Sequence, residues 1–194
     1  MAKLRLGILG SGEGSNFRAI AEAIVAGSLD AEVRIVLSDV EGAGILAKAR
    51  ERGLRAKYVA PGKFKTKLEP EAEERIVALL REAGVDLVVL AGWMRMVKAP
   101  LLHAFPRRII NIHPSLLPAF PGLDAWKQAL AAGATGTGCT VHYVDEGMDS
   151  GDVIAQAQVP VLPGDTPEQL HARIQVEEHK LYPEVIRRIG LALR

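Results

Sequence analysis

The stretch that decides the fold is residues 4–27, "LRLGILGSGEGSNFRAIAEAIVAG". Its first six residues, "LRLGIL" (4–9), form a short apolar run of the kind found in buried strands. "GSGEGS" (10–15) is a tight glycine loop, and "NFRAIAEAIVAG" (16–27) has helical spacing and closes on a glycine, as helices often do. Strand, glycine loop and helix in that order open a βαβ unit.

Working outward, the same alternation repeats. "EVRIVLS" (32–38) predicts a strand, "GAGILAKARERG" (42–53) a helix and "AKYVA" (56–60) a short strand. After the polar loop "PGKFKTKLEP" come an amphipathic helix over 71–84 and a strand, "VDLVVLAG" (85–92). That strand is the most apolar in the chain and is expected at the sheet centre. A short helix over 99–105 leads to the strand "RIINIH" (108–113). The pattern then changes. A helix over 124–133 is followed by two strand-like runs, 137–145 and 153–161, around "EGMDSG", and by a long amphipathic helix over 166–190 containing Pro183. We expect an α/β fold: a Rossmann-like, doubly wound, mostly parallel sheet whose C-terminal part turns mixed and antiparallel. The expected organisation is one domain over 1–194, with a nucleotide-binding-like half (1–110) and a catalytic half (111–194). Ligands of such sheets lie beyond the carboxyl ends of the strands. Three polar or glycine-rich strand ends then share one rim: 10–16, 91–97 and 111–115.

Composition narrows the class. The 194 residues are 48% hydrophobic, ample for a core, and the net charge is +1. No global basicity points to nucleic acid or to an anionic membrane. A lone cysteine, Cys139, excludes an internal disulfide and favours a reducing compartment. The N-terminus lacks a signal-peptide layout, and no apolar run approaches the ~20 residues needed to span a bilayer. A cytoplasmic protein is expected.

The chemistry sits in four motifs. In "GSGEGSN" (10–16), Gly10 and Gly12 fit a dinucleotide fingerprint, but its third glycine position is Ser15. The loop suits a phosphate at a helix N-terminus; the plain alternative is a turn capped by Ser15 or Asn16. Asp39, at the end of the second strand, stands where an acid could hold a ribose, which keeps a nicotinamide oxidoreductase in view. In "AGWMRMVKAP" (91–100), Trp93, Met94 and Met96 could floor a flat ligand and Arg95 could meet a charged group, or the segment is a core-edge loop.

In "NIHPSLLPAFPG" (111–122), Asn111 and His113 are two apart on a strand and so point the same way. One neutral donor and one potentially cationic donor, aimed together, suit a developing carbonyl oxyanion. No second or third ligand lies nearby for a metal. Ser115 lacks the G-x-S-x-G elbow of a serine hydrolase. "VDEGMDSGDVI" (144–154) carries Asp145, Glu146, Asp149 and Asp152 without matching a calcium loop. One of them reaching His113 would favour the imidazolium. His142 faces either the site or the core. In the last helix Gln175 and Glu178 share a face.

Taken together, "GSGEGSN", "LAGWMRM", "NIHPSLLPAFPG", "HYVDEGMDSG" and "RIQVEEHKLYP", in that order, resemble the folate-dependent formyltransferases over essentially the whole chain. The resemblance implies the formyltransferase fold and transfer of the formyl group of 10-formyltetrahydrofolate, as co-substrate and without metal, to the amine of 5-phosphoribosylglycinamide. The products are formylglycinamide ribonucleotide and tetrahydrofolate, in de novo purine biosynthesis. The short chain favours this acceptor over initiator methionyl-tRNA, whose formylating relatives carry a further C-terminal domain. Carried over, the family's catalytic residues fall on Asn111, His113 and Asp149. Its ribonucleotide site falls on Gly14, Ser15 and Asn16 and on Gln175, Val176, Glu177 and Glu178. Its folate site falls on Lys67, Met94, Arg95, Met96 and Val97, with Asn111 and the loop Asp145, Glu146, Gly147 and Met148.

Two positions depart from the pattern. Lys67 stands where relatives often have Arg, keeping the charge without the bidentate fork; Trp126 stands where they often have His. The implied partners are small molecules, with no nucleic acid or membrane, and the protein is expected as a monomer or homodimer. Hydrolysis of formylfolate, another amine acceptor, and a non-catalytic nucleotide- or folate-binding role remain as alternatives.

Overall fold

A computed structural model describes residues 2–193. The elements follow the expected order: β1 (Leu4–Leu9), α1 (Ser15–Val25), β2 (Ala31–Ser38), α2 (Gly44–Glu51), β3 (Ala56–Tyr58), α3 (Pro70–Glu82), β4 (Leu87–Leu90), α4 (Ala99–Ala104), β5 (Ile109–His113), α5 (Ala125–Ala131), β6 (Gly136–Tyr143), β7 (Val153–Pro160) and α6 (Pro167–Ala192). Seven strands form one sheet in the order β3-β2-β1-β4-β5-β6-β7. β4 is its middle strand. The pairs from β3 to β5 are parallel, whereas β5–β6 and β6–β7 are antiparallel. The sheet is therefore mixed at the C-terminal end, as the "EGMDSG" turn between two strand-like runs implies.

Strand alternation divides the core into two layers. Leu6, Ile8, Leu87, Val89, Ile110 and Ile112 face one side, under α1, α2 and α6. Leu9, Val88, Leu90 and Ile109 face the other, under α3 and α4. Because Ile110 and Ile112 turn to the first layer, Asn111 and His113 project to the opposite side with Ile109.

α6 is opened by a full capping box, in which Thr166 accepts from the Gln169 backbone N–H and Gln169 accepts from the Thr166 N–H. The helix continues through Pro183 to residue 192. Its fully buried Tyr182 donates to the Leu90 carbonyl at 2.8 Å and the Ile110 carbonyl at 3.1 Å, bolting the helix to β4 and β5. β4 is shorter than the run 85–92 suggests. Arg5 pairs with Asp86 at 2.6 Å, Val85 bonds back to Leu80, and Gly92 turns at φ 71°.

Candidate active site

The β1–α1 loop approaches its neighbours closely. A Cβ on Gly10 would lie 2.6 Å from the Ala91 carbonyl oxygen, so only glycine fits. Gly14 is the N-cap of α1 at φ 78°, with Ile45 packed where a side chain would stand. No side chain caps α1. Ser15 is its first residue, and Asn16 reaches across the fold to Glu178 of α6, with Nδ2 donating to Oε2 at 3.1 Å. Turn capping by Ser15 or Asn16 is thus replaced by a glycine cap. The first-turn N–H groups of α1 lie where an anion would be stabilised. Burial pushes the Glu178 carboxyl up to about 6, against the opposing effect of the Asn16 hydrogen bond.

At the end of β5, His113 is 5% exposed. Its Nε2 lies 2.9 Å from the Phe120 carbonyl oxygen. A carbonyl only accepts, so Nε2 carries a hydrogen. Nδ1 lies 3.3 Å from Oδ2 of Asp149. Two lone pairs would repel at that distance, so a proton belongs to this contact, on the ring or on the carboxyl group. The Gly122 N–H donates to the same Oδ2 at 2.9 Å. Asp149 has φ 52°, a left-handed conformation that Asp and Asn tolerate better than most residues.

His142 takes a different role. Its Nδ1 donates to the Tyr143 carbonyl at 2.9 Å, which leaves Nε2 as the acceptor for the Asn111 amide N–H at 3.2 Å. Burial lowers its proton affinity, which keeps it neutral and preserves that acceptor. His142 lies directly opposite Asn111 in the antiparallel register. It therefore belongs to the site, and it orients the Asn111 amide. The signal that could have found it is this register, which becomes readable only once β5–β6 pairing is known.

The proline-rich loop is held from below. The Thr140 hydroxyl donates to the Ser115 carbonyl at 2.7 Å and accepts from the Leu117 N–H at 3.0 Å and from Gln156 at 2.9 Å. The Ser115 hydroxyl, fully buried, donates to the carbonyls of Ala119 and Phe120. It points into the loop, which removes the serine-hydrolase reading. The bond Leu117–Pro118 is cis.

Of the four acids around "EGMDSG", only Asp149 meets His113. Asp145 accepts from the Gly147 N–H and the Ser150 hydroxyl, and Asp152 pairs with Arg107 at 2.8 Å. The Glu146 carbonyl accepts from Lys98 at 3.2 Å.

The 91–97 segment is more structural than its side chains suggest. Trp93 and Val97 are buried in the second core layer rather than flooring a cleft. Met94 and Met148 are exposed, and Met148 lies against Gly122. The Arg95 Nε donates to Asp39 at 2.6 Å, and its Nη1 donates to the carbonyls of Phe64, Lys65 and Lys67. The Arg95 Nε and Nη1 are therefore already engaged within the fold. Lys67 pairs through its backbone with Met96, and its ammonium sits 4.6 Å from the centroid of the Phe64 ring. Asp39 is committed to Ser11 and Arg95, so it is not free for a ribose and the nicotinamide reading loses its acid. On α6, Val176 is exposed and Glu177 pairs with Lys180 at 2.9 Å; of the sequence-proposed quartet, Glu178 is the residue joined to the glycine loop. Trp126 stacks on His171 with ring centroids 3.7 Å apart. Among the described residues no cluster of three or more His, Cys, Asp or Glu could hold a metal, and no helix is long and apolar enough to cross a membrane.

An amide and an imidazole side by side at a strand end, with a carboxylate behind the imidazole, are equipped to stabilise a carbonyl oxyanion and move a proton. Residues 4–186 match the formyl transferase family, and the chain belongs to that family. It is 41% identical over 185 residues to phosphoribosylglycinamide formyltransferase of Bacillus subtilis, covering 95% of this chain and 94% of that protein. It is also 43% identical to the trifunctional purine biosynthetic protein adenosine-3 of Drosophila pseudoobscura pseudoobscura, matching 94% of this chain but spanning only 13% of that longer relative. The crystal structure of glycinamide ribonucleotide transformylase 1 from Symbiobacterium toebii superposes with a TM-score of 0.94 at 46% identity, covering 98% of this chain and 89% of that one.

Proposed function

We propose that this protein is a one-carbon group transferase that moves the formyl group of 10-formyltetrahydrofolate onto the amine of 5-phosphoribosylglycinamide, a step of de novo purine biosynthesis. The observation that carries the reading is the contact of His113 Nδ1 with Asp149, 3.3 Å apart, beside an Asn111 amide that His142 orients.

The amine nitrogen attacks the formyl carbon. A C–N bond forms to the glycinamide, and the carbonyl oxygen becomes an oxyanion. Asn111 donates to it through the amide hydrogen not used by His142. His113 donates through its Nε2–H, which exchanges the Phe120 carbonyl for the substrate oxygen. Removing one such donor typically costs about 10²–10³ in rate. As the tetrahedral carbon collapses, the bond to N10 of the folate breaks. The amine loses one proton and N10 gains one, with Asp149 and His113 as the relay. Gly14, Ser15 and Asn16 hold the phosphate, and Glu178 with Gln175 the ribose and glycinamide. The backbone at Met94 to Val97 and the Asp145–Met148 loop flank the folate, with Lys67 toward its acidic tail. Orienting amine and formyl in this way supplies several kcal/mol of the barrier. The division into a nucleotide half and a catalytic half, a cytoplasmic setting, and a monomer or homodimer belong to the same proposal.

The test is turnover. Tetrahydrofolate formation from 10-formyltetrahydrofolate is followed with and without 5-phosphoribosylglycinamide. Formation only with the ribonucleotide is expected. Formation without it would mean a deformylase, and none in either case would overturn the assignment.

A further inference from the structure

Two buried carboxylates, Glu73 and Asp39, have no part in the mechanism, and Asp39 is the one bonded to the glycine loop. Asp39, just beyond β2, is 6% exposed. Its Oδ1 accepts from the Ser11 hydroxyl at 2.6 Å and its Oδ2 from Arg95 Nε at 2.6 Å. The Ser11 oxygen in turn accepts from the Met94 N–H at 3.1 Å, and the Ser11 N–H donates to the Gly92 carbonyl at 3.0 Å. Arg95 carries the connection onward to three carbonyls of the 64–67 loop. The Met96 N–H donates to the Thr66 carbonyl at 2.8 Å, so the two segments are also joined through their backbones. One carboxylate thus joins the loop after β1, the loop after β4 and the loop before α3, all on the ligand rim. Such short charge-assisted bonds, shielded from water, hold side chains in one arrangement better than exposed ion pairs do.

We propose that Asp39 is a positioning residue that fixes the ribonucleotide-side loop and the folate-side loops as one unit, so that its loss weakens capture of both substrates while the transfer step persists. This rests on the function proposed above. Ser11 precedes the phosphate-binding residues by three to five positions, and Arg95 lies in the folate-side segment. Asp39 lies outside the Asn111–His113–Asp149 group and is bonded to neither histidine. A role in stability alone would leave the affinity of the folded fraction unchanged; a positioning role raises KM.

The experiment compares wild-type protein with Asp39→Asn and Ser11→Ala. The Asp39→Asn change removes the charge that strengthens both bonds; its amide N–H faces either the guanidinium N–H, which breaks that side, or the Ser11 oxygen, which must then accept where it now donates. Ser11→Ala removes both the hydroxyl bonded to Asp39 and the acceptor of the Met94 N–H, and leaves Asp39 on Arg95. For Asp39→Asn we expect KM for 5-phosphoribosylglycinamide and for 10-formyltetrahydrofolate each to rise about tenfold, with kcat within about threefold of wild type and the pH profile of kcat unmoved. For Ser11→Ala both KM values rise, by about three- to fivefold, because the Arg95 side of the bridge persists. If Asp39→Asn does not fold, Ser11→Ala carries the test. KM values within about twofold of wild type in the folded variants would overturn the inference. Loss of kcat with unchanged KM would do the same. A wild-type protein that does not formylate the ribonucleotide fails the function reading instead, and the two failures are distinguishable.

Discussion

Replacing Asp149 by Asn tests the centre of the site with little disturbance around it. The position has φ 52°, which Asn adopts nearly as readily as Asp, so the backbone is kept. The side-chain oxygen of Asn can still accept from the Gly122 N–H that Asp149 now holds at 2.9 Å. What disappears is the negative charge 3.3 Å from His113 Nδ1, on a carboxylate only 14% exposed. A hydrogen bond to a charged group contributes about 1.5–3 kcal/mol, equivalent to about 10- to 150-fold in rate. Loss of a positioned proton relay alone costs about 10²–10⁴. We therefore expect kcat to fall by at least ~10²-fold with KM changed little. The assay is steady-state formation of tetrahydrofolate, with a thermal melt on the same sample to establish folding. A folded variant with kcat within about threefold of wild type would refute the reasoning, because neither the ion pair nor the relay could then matter to the rate-limiting step.

Three further outcomes are expected. His142→Phe preserves ring volume but removes the acceptor that orients Asn111; one hydrogen bond of about 0.5–1.5 kcal/mol predicts a roughly 2- to 12-fold lower kcat, and an unchanged kcat would separate His142 from Asn111. Glu178 is buried with its carboxyl raised from 4.5 to about 6, so its contribution to stability is present below 4.5 and is lost as pH rises through about 6. Glu178→Gln should therefore raise stability at pH 7 by up to about 2 kcal/mol relative to wild type and by much less at pH 4, read from urea unfolding at the two pH values, while weakening ribonucleotide binding. Tyr182→Phe leaves the Leu90 and Ile110 carbonyls without their buried donor and should cost about 1–3 kcal/mol in the same unfolding experiment; a loss below ~0.3 kcal/mol would mean that the helix does not depend on this bolt.

The order and type of the elements could be read along the chain because they depend on local periodicity and on glycine stops. Boundaries moved by at most two residues where tertiary contacts intervene. β4 gave up its first two residues to the Leu80 and Arg5 contacts, and α1 begins at Ser15 behind a glycine N-cap, Gly14, rather than a side-chain cap. The shared direction of Asn111 and His113 could also be read, because strand side chains repeat every two residues. The glycine loop could be recognised too, since Gly10 stands where the Ala91 carbonyl leaves no room for a Cβ.

Sequence by itself therefore determined the alternation, the central strand, the mixed C-terminal sheet, the motif set and the family those motifs resemble. Tertiary structure decided which groups meet. Asp149, and not Asp145, Glu146 or Asp152, faces His113, because the turn at φ 52° and the Gly122 N–H aim its carboxylate there. His142 joins the site rather than the core through antiparallel register with Asn111. Asp39 and Arg95, promising as ligand groups, instead bind each other and the neighbouring loops. The Phe120 carbonyl on His113 has no sequence signature, because every residue carries one. Periodicity and steric demands are local and leave a trace in residue type. Partner choice among polar groups depends on backbone atoms and loop directions that exist only after the chain has folded.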